Sequence, residues 1–136
     1  MRNIERDIRQ GIDAVLAANE AFYRAFEKRS IDAMSEVWSK GTGCLCVHPG
    51  RGVLMGWDNI HDSWEQIFHN THYLEVDVQV KSSEISGSLA VVVVVESIMQ
   101  VVGARRLEAK SIATNVFERM GASWFLIHHH GSPLMR

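Results

Sequence analysis

The second half of the chain follows the two-residue period of β-strands, and this feature limits the possible folds more than any other. Over residues 73–85, apolar and polar side chains alternate, which places them on opposite faces of a strand. Residues 89–102 are rich in β-branched side chains and are typical of a central strand. Residues 106–120 and 123–130 continue the pattern, and glycine-containing turns separate the four segments. The sequence therefore predicts a meander of long antiparallel strands.

The first half of the chain has helical periodicity instead. Apolar residues recur at steps of three and four over residues 3–28, which predicts a long amphipathic helix. Shorter helices are expected over residues 31–39 and 58–69, and residues 44–48 and 53–55 predict a hairpin between them. Three helices followed by a meander give an α+β class. The economical arrangement is a curved sheet that carries the helices on its concave face.

Composition excludes several classes of protein. The 136 residues suit one domain, here residues 1–136, and 46% hydrophobic with 22% charged residues is ordinary for a globular protein. A net charge of −2 offers no basic field for nucleic acid. The longest apolar run, residues 89–95, is far short of the roughly 20 residues that span a bilayer, and the charged N-terminus does not resemble a signal peptide. We therefore expect a cytoplasmic protein without nucleic acid or membrane partners.

The two cysteines and the absence of familiar motifs narrow the chemistry further. Cys44 and Cys46 lie two apart on a predicted strand, point the same way and are poorly placed to pair with each other, so reduced thiols are expected. The sequence has no nucleophile elbow, phosphate-binding loop or dinucleotide fingerprint. Nothing in it predicts a cofactor.

Glu96 is unusual because it follows a run of five valines. A carboxylate buried there would have a raised pKa and could act as a general acid or base. The other interpretation places this part of the strand against solvent or a dimer interface, with Glu96 paired to a lysine or arginine. The sequence leaves both open.

The run His128–His130 is the most distinctive local feature. On a strand, His128 and His130 share one face and His129 points to the other. By simple alternation, Leu126 shares the face of His128. If that face is concave, the two imidazoles meet apolar side chains of the first helix. Burial then lowers their pKa and leaves them neutral, able to accept a proton at neutral pH.

These two histidines also have competing roles. They could chelate a metal ion if a third ligand came from His48 or Glu96, or they could serve only as hydrogen-bond partners at strand ends. A metal site needs three or four converging ligands, and the sequence supplies two. No bound metal is therefore expected.

Several stretches together resemble a known family. They are Asn19–Phe26, Ile31–Trp38, Val47–Gly50, Gly56–Ile60 with Ser63–Trp64 and Ile67–Phe68, and Ser123–Pro133. They are similar to SnoaL-like domains of the nuclear transport factor 2-like superfamily, over residues 12–133. The resemblance implies a cystatin-like cone, in which three N-terminal helices pack on a strongly curved antiparallel sheet with a pocket between them. It also implies a homodimer formed through the outer sheet face.

The superfamily contains isomerases, cyclases, dehydratases and hydrolases as well as non-catalytic modules, so the fold does not fix the function. The association domain of calcium/calmodulin-dependent kinase II has a similar C-terminal stretch, with arginines lining its pocket. The corresponding positions here are Asn115 and Gly131.

We expect a small-molecule pocket with two sets of residues. The ligand-binding set is Tyr23, Trp38, Trp57, Trp64 and Asn115, and the candidate catalytic bases are His48, His128 and His130. As an enzyme, the protein would isomerise, dehydrate or hydrolyse a small apolar molecule by proton transfer, with the Asn115 amide polarising a carbonyl oxygen.

The alternative function is a non-catalytic homodimeric module for ligand binding or assembly. The run Val91–Val95 supports a dimer independently of the family, since it is apolar on both faces and the helices cover only one. An ionisable group inside the pocket would favour the enzyme, and a pocket of aromatic and amide groups alone would favour the module.

Overall fold

The computed structural model describes residues 3–135, and these form three helices and six strands. In chain order they are α1 (Ile4–Glu27), α2 (Ile31–Val37), β1 (Leu45–Val47), β2 (Val53–Met55), α3 (Trp57–Asn70), β3 (Tyr73–Ser86), β4 (Leu89–Val102), β5 (Arg105–Met120) and β6 (Ser123–Pro133). Most bounds lie within two residues of the prediction, and β6 runs three residues further. The predicted α+β fold, with three helices on one sheet, is confirmed.

The sheet is mixed, whereas a wholly antiparallel sheet was expected. Its strand order is β2-β1-β6-β5-β4-β3, and β1 pairs in parallel with β6, so that Cys46 lies opposite His129. The predicted hairpin of β1 and β2 is therefore joined to the end of the meander. Two extra residues, Lys81 in β3 and Ile127 in β6, interrupt the pairing as β-bulges. Bulges of this kind bend a strand and increase its twist, which helps the sheet to curve around the helices.

The core lies on the concave face, and Phe22 of α1 is at its centre. The Phe22 ring meets Trp38 edge-on at 6.3 Å and Trp64 of α3 edge-on at 5.7 Å. From the sheet, the core receives Val92 and Val94 of β4, together with Ala113, Phe117 and Leu126. All three helices are amphipathic in the predicted sense, so each buries its apolar stripe against this one layer.

The end of α1 is tied to the edge strand β3. The Val76 backbone N–H donates to Glu27 Oε2 at 2.9 Å, and Arg24 Nη2 donates to the Val76 carbonyl at 3.0 Å. These side chains occupy backbone groups that an edge strand would otherwise leave free for another chain.

The outer face of the sheet carries no helix among the described residues. Alternate residues of β4 point outward there, and Val91 is 36% exposed. On the neighbouring strand Ile112 is 40% exposed. Within residues 3–135, no helix combines the length and apolar character needed to cross a membrane.

Candidate functional site

Glu96 lies inside the cone and is the end point of a buried polar network. It continues the inward-facing positions of β4 and is 1% exposed. Tyr23 Oη donates to Glu96 Oε2 at 2.6 Å, and Ser111 Oγ donates to Glu96 Oε1 at 2.6 Å. The interpretation that pairs Glu96 with a lysine or arginine on an outward face is therefore wrong. Two hydroxyl donors satisfy the buried carboxyl group instead.

Asn115 connects this carboxyl group to a histidine. Its Nδ2 donates to Asn19 Oδ1 at 2.9 Å and to Tyr23 Oη at 3.1 Å. Its Oδ1 lies 2.6 Å from His129 Nδ1. Because the amide nitrogen is used as a donor, the oxygen must accept, and His129 Nδ1 must carry the proton. The network thus fixes the tautomer of His129 and leaves its Nε2 with a lone pair.

His129, and not His128 or His130, is the histidine of β6 that enters the core. Simple alternation placed His128 on the face of Leu126, but the bulge at Ile127 adds one residue, so Leu126 and His129 both point inward. His129 is 2% exposed, and burial, followed by the charges of His128 and His130, lowers its pKa to about 3. Its Nε2 lies 4.0 Å from Glu96 Oε2.

His128 and His130 lie on the outer side of the sheet. His128 is half-buried and His130 exposed, and their ring centres are 6.4 Å apart. Burial and then His130 lower the pKa of His128. Glu96 is on the other side of the sheet. His128, His130 and Glu96 therefore cannot bind one metal ion together. Among residues 3–135, one group of three ligand-bearing side chains does come together, His61, Asp62 and Glu65 on α3, with ligand atoms within 4.8 Å of one another.

His48 directly follows the last residue of β1. Its side chain contacts both the buried Trp64 and Ser63 at the surface cleft. Its Nε2 is 2.8 Å from Ser63 Oγ, and its ring packs edge-on against Trp64 at 4.8 Å. It is 6% exposed. Burial, then the charges of His129 and Arg51, lower the pKa of His48 to about 4. The imidazole is therefore neutral at pH 7.

The two cysteines are free, as expected, and both are fully buried. Cys46 Sγ lies 3.9 Å from His48 Nε2. Burial and the nearby Glu96 raise the pKa of Cys46 to about 12, which keeps it a thiol. A thiolate nucleophile has no support here.

His48 opens onto a surface cleft of about 860 Å³ between β2, the preceding turn and α3. Ser63 lies beside it. The rest of the lining combines polar side chains with apolar surface, and its residues are Arg51, Gly52, Val53, Leu54, Asn59, Asp62, Glu65, Gln66 and His69. Of the three candidate bases, His48 is the one that borders this cleft. Ser63 belongs to one of the stretches that resemble the family, but it was not predicted as a site residue. Residues 48 and 63 meet only when the hairpin packs on α3.

Most of the predicted ligand-binding residues lie behind the cleft rather than along it. Tyr23, Trp38, Trp64 and Asn115 are at most 1% exposed. Trp57 is half-buried and packs against Trp38, with ring centres 6.2 Å apart. In the part of the chain that the structure describes, these side chains form a packed interior.

A curved mixed sheet with three helices on its concave face defines the cone of the nuclear transport factor 2-like proteins. The chain belongs to the SnoaL-like domain family, whose profile matches residues 15–136. Two solved structures are similar over nearly their whole length. A candidate dehydratase of the nuclear transport factor 2-like family from Streptomyces avermitilis is 30% identical with a TM-score of 0.86, over 94% of this chain and 99% of that one.

A candidate calcium/calmodulin-dependent protein kinase type II association domain from Thiobacillus denitrificans is 29% identical with a TM-score of 0.78, over 88% of this chain and 94% of that one. Among curated proteins, the F-box protein SKIP8 of Arabidopsis thaliana is 25% identical over 122 residues, which make up 90% of this chain and 50% of that protein. The chain thus spans about half the length of this curated relative.

Proposed function

We propose that this protein is a proton-transfer enzyme acting on a small molecule in the cleft, with His48 as the base. The observation that carries the proposal is a neutral imidazole at the base of an open cleft, hydrogen-bonded to the Ser63 hydroxyl. The ionisable network of Glu96 and His129 behind it favours an enzyme over a module, since such a module needs no ionisable interior. The similarity to a candidate dehydratase supports the same class of reaction.

The chemistry follows from the two side chains that face the cleft. His48 Nε2 takes a proton from a carbon next to a carbonyl group, and the Ser63 hydroxyl turns to donate to the oxygen on which negative charge develops. The imidazolium then returns the proton. Return to another carbon isomerises the substrate, whereas return to a β-hydroxyl breaks the C–O bond and releases water. A base with a pKa near 4 is weak, so it suits a carbon acid activated by a carbonyl group.

The mixed lining of the cleft bears on the expected ligand. Val53 and Leu54 supply apolar surface, and charged and amide side chains lie near His48 and Ser63. We therefore propose a small, partly apolar molecule with a carbonyl group and a polar substituent, of which β-hydroxy ketones are the simplest probes.

The test measures removal of the α-proton from model ketones, so the natural substrate need not be known. A panel of small β-hydroxy ketones is incubated with the protein in D₂O, and the loss of the α-proton signal is followed by NMR. His48→Gln should slow the protein-dependent exchange by about 100-fold or more, the usual contribution of a general base. His72→Gln is the matched control, because His72 is exposed and lies outside the cleft. Equal exchange by the wild type and His48→Gln would contradict the proposal.

A second candidate function, a homodimeric assembly module, is supported by the outer sheet face. Val91 of β4 and Ile112 of β5 are both exposed on neighbouring strands, and Ile112 lies opposite Val95, four positions along β4 from Val91. An uncovered apolar surface of this kind favours a second copy of the chain. We propose a dimer through this face whether or not the protein is catalytic.

Sedimentation tests the dimer. The wild type should sediment as a dimer at micromolar concentration, and Ile112→Lys should shift it to the monomer. Val80→Lys adds the same charge at a comparably exposed valine of β3, away from this patch, and should leave the dimer intact. A monomeric wild type would exclude this interface.

A further inference from the structure

Two polar atoms in the cone interior have no hydrogen-bond partner among the described residues. One is Trp64 Nε1, an indole N–H in a residue that is 1% exposed. The other is His129 Nε2, which must be an acceptor because Asn115 Oδ1 takes the proton on Nδ1. A buried donor or acceptor without a partner costs about 1–3 kcal/mol, so native proteins seldom leave one alone.

A third polar atom lies close to the imidazole. Glu96 Oε2 accepts from Tyr23 and lies 4.0 Å from His129 Nε2, too far for a direct hydrogen bond. The carboxyl oxygen and the imidazole lone pair are both acceptors, so they need a donor between them. Two atoms 4.0 Å apart can both be reached by one oxygen at ordinary hydrogen-bond length. The Trp64 and His129 rings are also neighbours, with centres 6.4 Å apart.

We infer that the cone interior contains a binding position for one hydroxyl oxygen, held by Trp64 Nε1, His129 Nε2 and Glu96 Oε2. The indole donates to the oxygen, and the hydroxyl hydrogens are donated to the imidazole and the carboxyl group. Water fits all three partners, and an alcohol hydroxyl fits the indole and one acceptor. The source is thus either a buried water or the hydroxyl of a bound molecule.

This inference deepens the proposed function, because Trp64 also packs edge-on against His48. A hydroxyl bound to that indole would be separated from the proposed base by this one side chain. For a β-hydroxy carbonyl substrate, Trp64 would then be a specificity-determining residue that selects the hydroxyl group.

The first arm of the test looks for water in the wild-type protein. The indole N–H of Trp64, assigned by comparison with the spectrum of Trp64→Phe, should show a nuclear Overhauser effect to a long-lived water. Trp38 is an internal control, since it is equally buried but its Nε1 donates to Met34 Sδ at 3.3 Å, so its N–H should show none. The ¹⁵N spectrum should also show His129 protonated on Nδ1, and a proton on Nε2 would overturn the inference.

The second arm looks for an alcohol, by binding rather than by activity. Matched cyclic ketones with and without a β-hydroxyl group are titrated into the protein. One added hydrogen bond should make the hydroxyl compound bind about five- to tenfold more tightly. Trp64→Phe should abolish the preference, whereas Trp124→Phe, at a half-buried tryptophan on β6, should keep it.

The outcomes separate the two sources and the two proposals. A water signal without ligand preference assigns the position to water, and a preference lost in Trp64→Phe assigns it to a substrate hydroxyl. Absence of both overturns the inference, even if His48-dependent proton exchange is observed. Conversely, the water signal can be present when exchange is not, which would reject the proposed function alone.

Discussion

Tyr23 holds the buried network together because its hydroxyl acts in both directions. It accepts from Asn115 Nδ2 at 3.1 Å and donates to Glu96 Oε2 at 2.6 Å. Burial, and then Glu96, raise the pKa of Tyr23 well above its usual value, so the phenol keeps its proton. All three residues are at most 1% exposed, so their polar atoms are shielded from bulk solvent.

Tyr23→Phe should therefore destabilise the protein by about 1–3 kcal/mol, the cost of leaving buried partners unsatisfied. Urea denaturation measures the change. Tyr73→Phe is the matched control, since Tyr73 also donates to a glutamate, Glu75, at 2.7 Å, but is 48% exposed. There the loss should be much smaller, as it is for most surface substitutions. Equal losses in the two variants would mean that the buried network adds nothing to stability.

The sequence predicted several members of this site but not how they are connected. Tyr23, Asn115 and His48 were selected by residue type and family resemblance. Their partners lie far along the chain, with 73 positions between Tyr23 and Glu96 and 96 between Asn19 and Asn115. No local pattern reports such a pairing, because it depends on how α1 packs into the sheet.

At the level of single elements, the bulge in β6 had the largest effect on the prediction. A period of two correctly described residues 123–126, but one extra residue at Ile127 exchanged the faces of every residue after it. His129 consequently took the place predicted for His128 and His130. Nothing in the run of histidines signals a bulge, since its position is set by pairing with β5.

The turn that follows β1 packs closely against Gly131 of β6. A Cβ added to Gly131 would lie 2.9 Å from Pro49 Cγ, so the turn that follows His48 rests directly on the β6 backbone. Gly131 is one of the two positions that the family resemblance matched with pocket arginines of the association domain. Pro49 would leave no room for an arginine side chain here without a shift of the turn.

Gly131→Ala should cost about 1–3 kcal/mol, as overpacking against a rigid ring does. It should also disturb the hydrogen bond between His48 and Ser63, because the turn that carries His48 must move. Thermal unfolding and the NMR signal of His48 measure these effects. Gly52→Ala, in the same loop, meets no atom within 4 Å and should be close to neutral. A stable Gly131→Ala with an unchanged His48 signal would show that the turn adapts freely.

For the whole molecule, hydrophobic periodicity was sufficient to predict the α+β class and the order of the elements, and the family resemblance implied the cone. The three helices and the strand-rich second half follow from spacing alone, because each element buries one face in a shared core. Spacing did not predict three features: the parallel strand pair, the filled interior and the position of the cleft. These features depend on contacts between distant elements. They also determine the charge state of the protein, because the fold buries two histidines in neutral form.

The stability of the whole protein should consequently fall as the pH is lowered from 7 to 5. In the unfolded chain, His48 and His129 take up protons near their ordinary pKa of about 6.5. In the folded chain their pKa values are lowered to about 4 and about 3, so they stay neutral in this range. Protons therefore bind preferentially to the unfolded state. The free energy of unfolding should drop by about 2 kcal/mol per histidine between pH 7 and pH 5.

Urea denaturation at a series of pH values tests this, and His48→Gln should remove about half of the fall that the two histidines cause. His72→Gln is the matched control, because it makes the same replacement at an exposed histidine outside the cleft. The titration of carboxyl groups is common to all three proteins and cancels in the comparison. If wild type and His48→Gln lose stability in parallel, His48 is protonated in the folded state, and it could not act as a neutral base near pH 5.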